Sequence, residues 1–460
     1  MSYVIPRLEI KQEFSQLAVF ADSPLATLII GPSNYRPNTV TNKVLASNIA
    51  TLVTGTAHGL IVGDKVKVSA VDSVFNGTHT VTAATQVSPF SFSFAKTNAD
   101  VATAAVSGGK INDGAVTSSI TEINSISNIG DIDTKLGPIG LANKLATGVY
   151  FAMLNSQNVP VYYIRSDDEI VSGARVETAA SYANALKVAS LVDHVYNIVP
   201  MTNNATFQSE VASHCISMSA PGAGRWRVAW LGTDDPAGAV TSAAITAALV
   251  ADEAVVGNRR YRKVFPTSFI AGDVTYPSFY AAAALAGLRS GVVPHQPLTN
   301  VEVLGVHSLP ATNSFDGLFT EEQLDQLAEV GYWILTKKGK GSFTAYSRHQ
   351  LTTEADNLNT REDSITTNVD SISYGLKEVL APFIGKYNLN NDIIATIRTA
   401  IQVELNSRKF DTFNARAGQQ LINYTIVRIE QSAAFKDKLI VDVNLEVPYP
   451  LNYISLTLVV

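Results

Sequence analysis

Histidines are the first residues to weigh for chemistry, because paired imidazoles bind metals and a single imidazole can act as a general base near neutral pH. Seven stand at positions 58, 79, 194, 214, 295, 307 and 349, and none belongs to an HExxH or comparable pair that would bring two rings to one ion. His214 adjoins Cys215, but neighbours on a helix point about 100° apart, so the two cannot act together as imidazole and thiolate. The run Lys337-Lys338-Gly339-Lys340-Gly341-Ser342 lacks the upstream glycine of a phosphate loop and puts Gly341 where a Ser or Thr hydroxyl is needed. The Gly31-Pro32 and Gly137-Pro138 turns open no helix with free amides and read as connectors, not anion cradles. Asp167-Asp168 and Asp234-Asp235 sit among loop residues, where adjacent carboxylates are solvated turn groups and not a glycosidase pair. The sequence therefore assigns no catalytic residue, no cofactor site and no metal site.

The elements that would have to position any chemistry belong to a long, weakly charged chain. With 460 residues, 46% hydrophobic and 16% charged, it can bury more than one core. Lys plus Arg number 34 against 40 Asp plus Glu, a net charge of -6, which argues against a nucleic-acid partner because a phosphate-binding surface needs a basic stripe. The single cysteine, Cys215, excludes internal disulfides. The N-terminal stretch mixes Arg7, Glu9, Lys11 and Glu13 with apolar residues and has no secretory core, so cytoplasmic synthesis is expected. The longest apolar stretch, Phe279 to Leu288, falls well short of the roughly 20 residues of a membrane span.

Periodicity divides the chain into four parts. Residues 1–43 read as an extended N-terminal arm, in which Leu8 and Ile10 alternate with charged residues, followed by a strand over Leu25 to Ile30. Residues 44–111 form an inserted all-β module of about five strands, marked by Thr, Val, Ala and Ser in short alternating runs between Gly and Asn-Gly turns. Residues 112–308 alternate helical and strand patterns, as in Asn143 to Gln157 before Pro160 to Arg165, which predicts a mainly parallel α/β sheet. Residues 309–460 open with a capped helix at Thr320 and Gln323. Two helices then follow, one with Ile365, Val369, Ile372, Leu376 and Val379 on a face and one with Ile393, Ile397, Ile401 and Leu405. Both are expected to be buried on one side only. The part closes on two alternating runs, Leu439 to Val447 and Ile454 to Val460.

Several stretches carry a family resemblance. Ser278 to Arg289 followed by His295 to Asn300 and Gly305, together with Ile123 to Arg165, Glu329 to Ile334, Ser347 to Thr353 and Asp442 to Val460, resemble segments of contractile phage tail sheath proteins, a family also found in tailocins and related contractile injection systems. The resemblance implies an α/β and α+β multidomain fold: a subtilisin-like middle domain, a C-terminal sheath domain and extended arms at both ends. The Asp-Ser/Thr-Gly, His-Gly-Thr and Gly-Thr-Ser signatures of a serine-protease triad are absent, so the implied fold carries no protease chemistry. It further implies a non-enzymatic structural protein of a virion tail, assembled in the host bacterial cytoplasm. Hexameric rings stacked helically, a tail tube protein inside them, and baseplate and tail terminator proteins at the ends are the implied partners, with no direct membrane insertion. The 44–111 module resembles β-modules of other phage structural proteins and is expected to face outward.

From the alternation at the chain ends, Leu8 and Ile10 and then Ile454, Leu456, Leu458 and Val460 are expected to add as strands to neighbouring subunits. Arg398, Arg408 and Lys409, on and just past the helix near 391 to 406, match the family's tube-facing helix in position and are candidates for contact with an acidic tube surface, against the alternative of a solvated helix face. Three other readings stay open: an enzyme on the α/β domain, a β-rich adhesin, and the sheath of a particle that carries no genome.

Overall fold

The computed structural model describes residues 25–115, 122–166, 168–171, 174–239, 241–253, 257–309, 319–337, 345–354, 358–409 and 418–452. Its centre is a nine-stranded sheet in the order Glu302–Val303, Ala345–Ser347, Tyr332–Lys337, Tyr261–Phe265, Val228–Leu231, Asn197–Pro200, Thr27–Gly31, Val161–Arg165 and Asn124–Ile126. The strands from Tyr332–Lys337 through Val161–Arg165 run parallel, and the outer ones are antiparallel. A parallel sheet is covered on both faces, so its strands carry apolar residues continuously. Thr27–Gly31 shows this: Ile29 packs into one core while Leu28 and Ile30 pack into the other.

One sheet thus takes strands from before residue 44 and from after residue 309. The boundaries expected at 43/44 and 308/309 divide the sequence but not the sheet, because parallel pairing joins strands far apart in the chain.

Every residue of the helix Ser278–Ser290 is buried. It lies under the sheet beside Lys144–Asn155, and its alanines allow the approach. A Cβ on Gly287 would stand 2.0 Å from the carbonyl oxygen of Ala152, so only glycine fits there. The opposite face is covered by Ala179–Ala189 and Ala205–Met218.

Between Thr27–Gly31 and the strand Asn124–Ile126 the chain makes a closed barrel of Asn38–Ala46, Ile49–Thr54, Lys65–Ser69, Gly77–Thr85, Ser91–Ala95 and Val101–Ile111. It therefore begins before residue 44 and has one strand more than the alternation indicates, the extra one being Asn38–Ala46. Ser47 and Asn48, with φ of 50° and 63°, make the tight turn that starts it, and Phe75, Phe92 and Phe94 fill its interior. At its base Asn112 ties it to the body, donating to the Arg36 carbonyl at 3.1 Å while its side-chain oxygen accepts from the Lys67 amide at 3.0 Å.

Thr320 and Gln323 form the expected capping box on the helix Glu321–Glu329. Farther on, the helices Asp363–Leu380 and Asn391–Lys409 pack against an antiparallel ribbon of Asn423–Gln431 and Leu439–Glu446 around Ile372, Ile397, Ile401, Leu405 and Leu421. Asn391–Lys409 buries one side, as its four-residue spacing predicts. Asp363–Leu380 does not: from Asp363 through Gly375 nearly every residue is buried, polar ones included. This helix is sandwiched between the ribbon module and the sheet, so its polar side is covered as well.

That polar side fixes the helix. Asp363 accepts from Arg262 Nε at 2.7 Å and from Arg289 NH1 at 3.1 Å, with all three side chains fully buried. Two turns on, Asp370 takes both guanidinium nitrogens of Arg260 and the hydroxyl of Tyr196, the latter at 2.8 Å. Burial, then the nearby Asp370, pushes the Tyr196 hydroxyl well above its ordinary pKa, so it keeps the proton that it donates to Asp370. Tyr374 completes the seam, donating to the Trp226 carbonyl at 2.9 Å and meeting the Trp226 ring edge-on. Tyr196, Trp226 and Arg260 all immediately precede or lie close before parallel strands, so the helix crosses the N-terminal ends of the sheet.

Removing one partner of a buried ion pair leaves the other charge uncompensated, at a cost of about 3–5 kcal/mol. Asp363→Ala is therefore expected to lower the unfolding free energy of the purified chain by that amount in a denaturant titration. Glu378→Ala, on the exposed side of the same helix, should stay within about 0.5 kcal/mol of the native chain.

Candidate assembly interface

The ribbon is one of three two-stranded sheets among the described residues. It has only two strands, and among the described residues neither outer edge pairs with another strand. Such an edge presents unbonded N–H and C=O groups and is a template for a further strand. Leu439, Val441, Val443 and Leu445 form its inward face, yet each is only partly buried, because the two helices beneath do not cover the full width. On its outward face Arg428 bonds Asp442 across the strands at 2.7 Å, and a bulge between Ile426 and Arg428 leaves Val427 exposed.

Two grooves lie where the ribbon meets the helix Asn391–Lys409, and they differ in chemistry. Beside Leu439 and Val441 lies an apolar groove of about 680 Å³ walled by Leu380, Phe383, Ile384, Tyr387 and Ile393, with Phe435 at the ribbon tip. Ile384 is 80% and Phe435 62% exposed, values that mark an apolar surface left uncovered by the described residues. Beside Asn423 to Ile426 lies a polar groove of about 400 Å³ lined by Arg398, Gln402, Asn406 and Lys409.

Arg398 opens onto the polar groove, where it can meet an outside group. Arg408 is turned inward. Its guanidinium donates to Glu404 at 2.6 Å, Ser371 at 3.2 Å and Gln420 at 3.1 Å, so this expected surface cation fastens one helix to the other and to the chain before the ribbon. Lys409 donates to Asn423 at 2.9 Å, joining the helix end to the first ribbon strand. Leu8 and Ile10, and likewise Ile454, Leu456, Leu458 and Val460, lie outside the described residues. Periodicity could not reveal Asp363, Asp370 and their arginines, since nothing in a run such as Arg361-Glu362-Asp363-Ser364 tells a buried carboxylate from a solvated one.

The crevice at the C-terminal ends of the parallel strands, where α/β enzymes place their sites, holds about 300 Å³ among Asn203, Gln208, Thr233, Asp234, Asp235 and Lys263. At its floor the Ser278 hydroxyl accepts from the Thr233 amide and donates to the Thr233 carbonyl at 2.7 Å. Among the described residues neither an imidazole nor a carboxylate is bonded to it, so the arrangement fixes a turn and does not activate a nucleophile. Cys215 is buried and its thiol is pushed up to about 12 by that burial, while burial and then Arg227, 2.7 Å away, hold His214 down at about 4. Among the described residues no three His, Cys, Asp or Glu side chains are grouped to hold a metal ion.

Fold comparison gives this arrangement a class. No family model and no curated protein matches the sequence. The structure matches the sheath of an extracellular contractile injection system, the PVC complex in its contracted state, with a TM-score of 0.54 at 15% identity over 74% of this chain and 86% of that one. It also matches the contracted helical sheath of the anti-feeding prophage with a TM-score of 0.52 at 14% identity, over 73% of this chain and 87% of that one. A chain of the anti-feeding prophage baseplate structure gives the same TM-score of 0.52. The fold is that of the contractile sheath proteins, as the sequence resemblance implies.

Reversing the charge of Arg398 should weaken binding of an acidic partner in the polar groove at low ionic strength without lowering the unfolding midpoint. Arg408→Glu should lower the midpoint, because it removes bonds within the chain. Thermal melts alongside co-sedimentation at two salt concentrations separate the two effects.

Proposed function

We propose that this chain is a tail sheath subunit, which polymerises helically around a tail tube and contracts to drive that tube through a host cell envelope. The observation that carries the reading is the two-edged ribbon, held on a helix that buried ion pairs fix to the sheet, in a protein with the sheath fold. An open edge that accepts a neighbour's segment makes a head-to-tail contact, and such a contact builds an open helix when it does not close into a ring. Alternating apolar residues at 8 and 10 and from 454 to 460 suit the donated strands. An arm of residues 1–11 spans at most about 36 Å when extended, enough to reach a neighbour. Each added backbone bond contributes roughly 0.5 to 1.5 kcal/mol, so an exchanged strand tethers a neighbour while leaving the bodies free to pivot.

Contraction then needs no nucleotide. Two lattice packings that differ by a few kcal/mol per subunit suffice when all subunits switch together. Stacked hexameric rings, an enclosed tube protein, and baseplate and terminator proteins at the ends complete the proposed assembly, placed in a virion tail. Residues 44–111 would decorate its outside. The matches to contractile injection systems favour a second form of the same reading, a sheath on a particle without a genome.

Negative-stain electron microscopy of the purified chain, alone and with its tube protein, is expected to show hollow striated cylinders. Deleting residues 1–11 or 453–460 is expected to leave folded, unassembled subunits. Uniformly small particles from the full chain under all conditions would sink the proposal, and persistent tubes from both truncations would sink the strand exchange.

A further inference from the structure

The chain enters the barrel through residues 32–37 and leaves it through 112–115. Two connectors that run side by side define a hinge axis, and an inserted module swings about such an axis unless further contacts hold it. Joints that swing are rich in Gly and Ser and exposed to water. This one is neither. The entry connector reads Pro32-Ser33-Asn34-Tyr35-Arg36-Pro37, with a proline fixing φ near about −65° at each end and no glycine between them. Ser33, Asn34, Tyr35, Asp64 and Asn112 are all at most 5% exposed, so water is not at hand to replace a hydrogen bond broken there.

The contacts grip both sides of the joint. Toward the body, the Pro32 carbonyl accepts from the Leu145 amide at 3.2 Å and ties the connector to the helix Lys144–Asn155. The Tyr35 ring lies against Gly137, where an added Cβ would stand 2.4 Å from the ring carbons, and the Gly137 amide donates to the Ile132 carbonyl at 3.1 Å. Toward the barrel, the Asn34 side chain donates to Asp64, whose carboxylate also accepts from the Ile61 amide at 2.9 Å and whose backbone carbonyl accepts from the Val81 amide at 2.8 Å. Asn34 thus reaches the barrel wall itself, at the start of Lys65–Ser69 and beside Gly77–Thr85. Asn112, between the Arg36 carbonyl and the Lys67 amide, fastens the two connectors to each other. Residues 34 and 35 are neighbours in the chain and hold opposite sides, so a rotation of the barrel must break one grip or the other.

We propose that Asn34 and Tyr35 form a rigid joint, which makes the barrel a fixed extension of the α/β body and not a tethered ornament. If the sheath reading holds, a subunit that turns during contraction carries its barrel through the same angle. The end of the barrel near Leu45 and Val101, opposite the joint at Asn38 and Ile111, then travels furthest.

Spin-label distances in the full chain test this without requiring assembly. One label is placed at Thr97→Cys, in an exposed loop at the far end of the barrel, and one at Glu210→Cys, exposed on the helix Ala205–Met218; native Cys215 is buried and stays unlabelled. Dilution into excess unlabelled chain restricts double electron–electron resonance to distances within a chain. The native chain should give one narrow distance distribution. In the Asn34→Ala, Tyr35→Ala variant that single maximum should be lost, while a pair inside the barrel, Thr97→Cys with Thr78→Cys, keeps its native distance. A broad distribution in the native chain overturns the rigid joint. A variant that keeps the native distribution, or that loses the distance inside the barrel as well, overturns the role given to Asn34 and Tyr35. Polymerisation is read separately by electron microscopy, so failure of the joint and failure of the sheath reading are told apart.

Discussion

A single carboxylate, that of Asp363, stands between two buried guanidinium groups brought from the strand Tyr261–Phe265 and from the helix Ser278–Ser290. Charges so far from water are tolerated only when each has its partner and its hydrogen bonds. Arg289 shows the balance: burial pulls its pKa down and Asp363 opposes the pull, while the carbonyls of Gln296 and Val293 accept from its two terminal nitrogens. The pairing requires the helix Asp363–Leu380 to lie across the N-terminal ends of the parallel strands at one height and rotation. Asp370 with Arg260 and Tyr196 repeats the constraint two turns away and removes the freedom to pivot.

The ribbon module is built outward from that helix. Its other face carries Ile372, against which Asn391–Lys409 and the ribbon pack, and Arg408 fastens the second helix back to Ser371. The ribbon is thus fixed to the body, and among the described residues its two outer edges are unpaired. Among the described residues its apolar side chains are only partly covered, and the groove beside Leu439 is walled by Leu380, Phe383, Ile384 and Tyr387. Incompleteness of this kind would be an aggregation hazard in a solitary protein, and it suits a chain whose neighbours complete it.

The α/β sheet holds this platform and offers no reactive constellation of its own among the described residues. The place where such folds put catalytic groups is occupied by Ser278, Thr233 and Asn203 bonded to one another and to the backbone. The buried helix that Ser278 opens has become a packing element, with Gly287 set against the Ala152 carbonyl. A large parallel sheet here serves as the frame to which the ribbon module is fixed.

What the sequence by itself determined is what periodicity records. The alternation of Leu439 to Val447, the four-residue spacing from Ile393 to Leu405, the capping pair Thr320 and Gln323, and the apolar strands around Thr27–Gly31 and Val161–Arg165 each appear as read. These are local properties, set by which side chains must leave water within a turn or two. Tertiary structure decided the rest: that Asn38 already belongs to the barrel, that strands beyond residue 309 extend the central sheet, that Arg408 points inward while Arg398 faces out, and that the polar side of Asp363–Leu380 is buried. Asp363 and Arg262 lie 101 residues apart. No local pattern distinguishes a carboxylate that will find such a partner from one that stays in water, because the distinction arises only when the two surfaces meet and both lose their solvent.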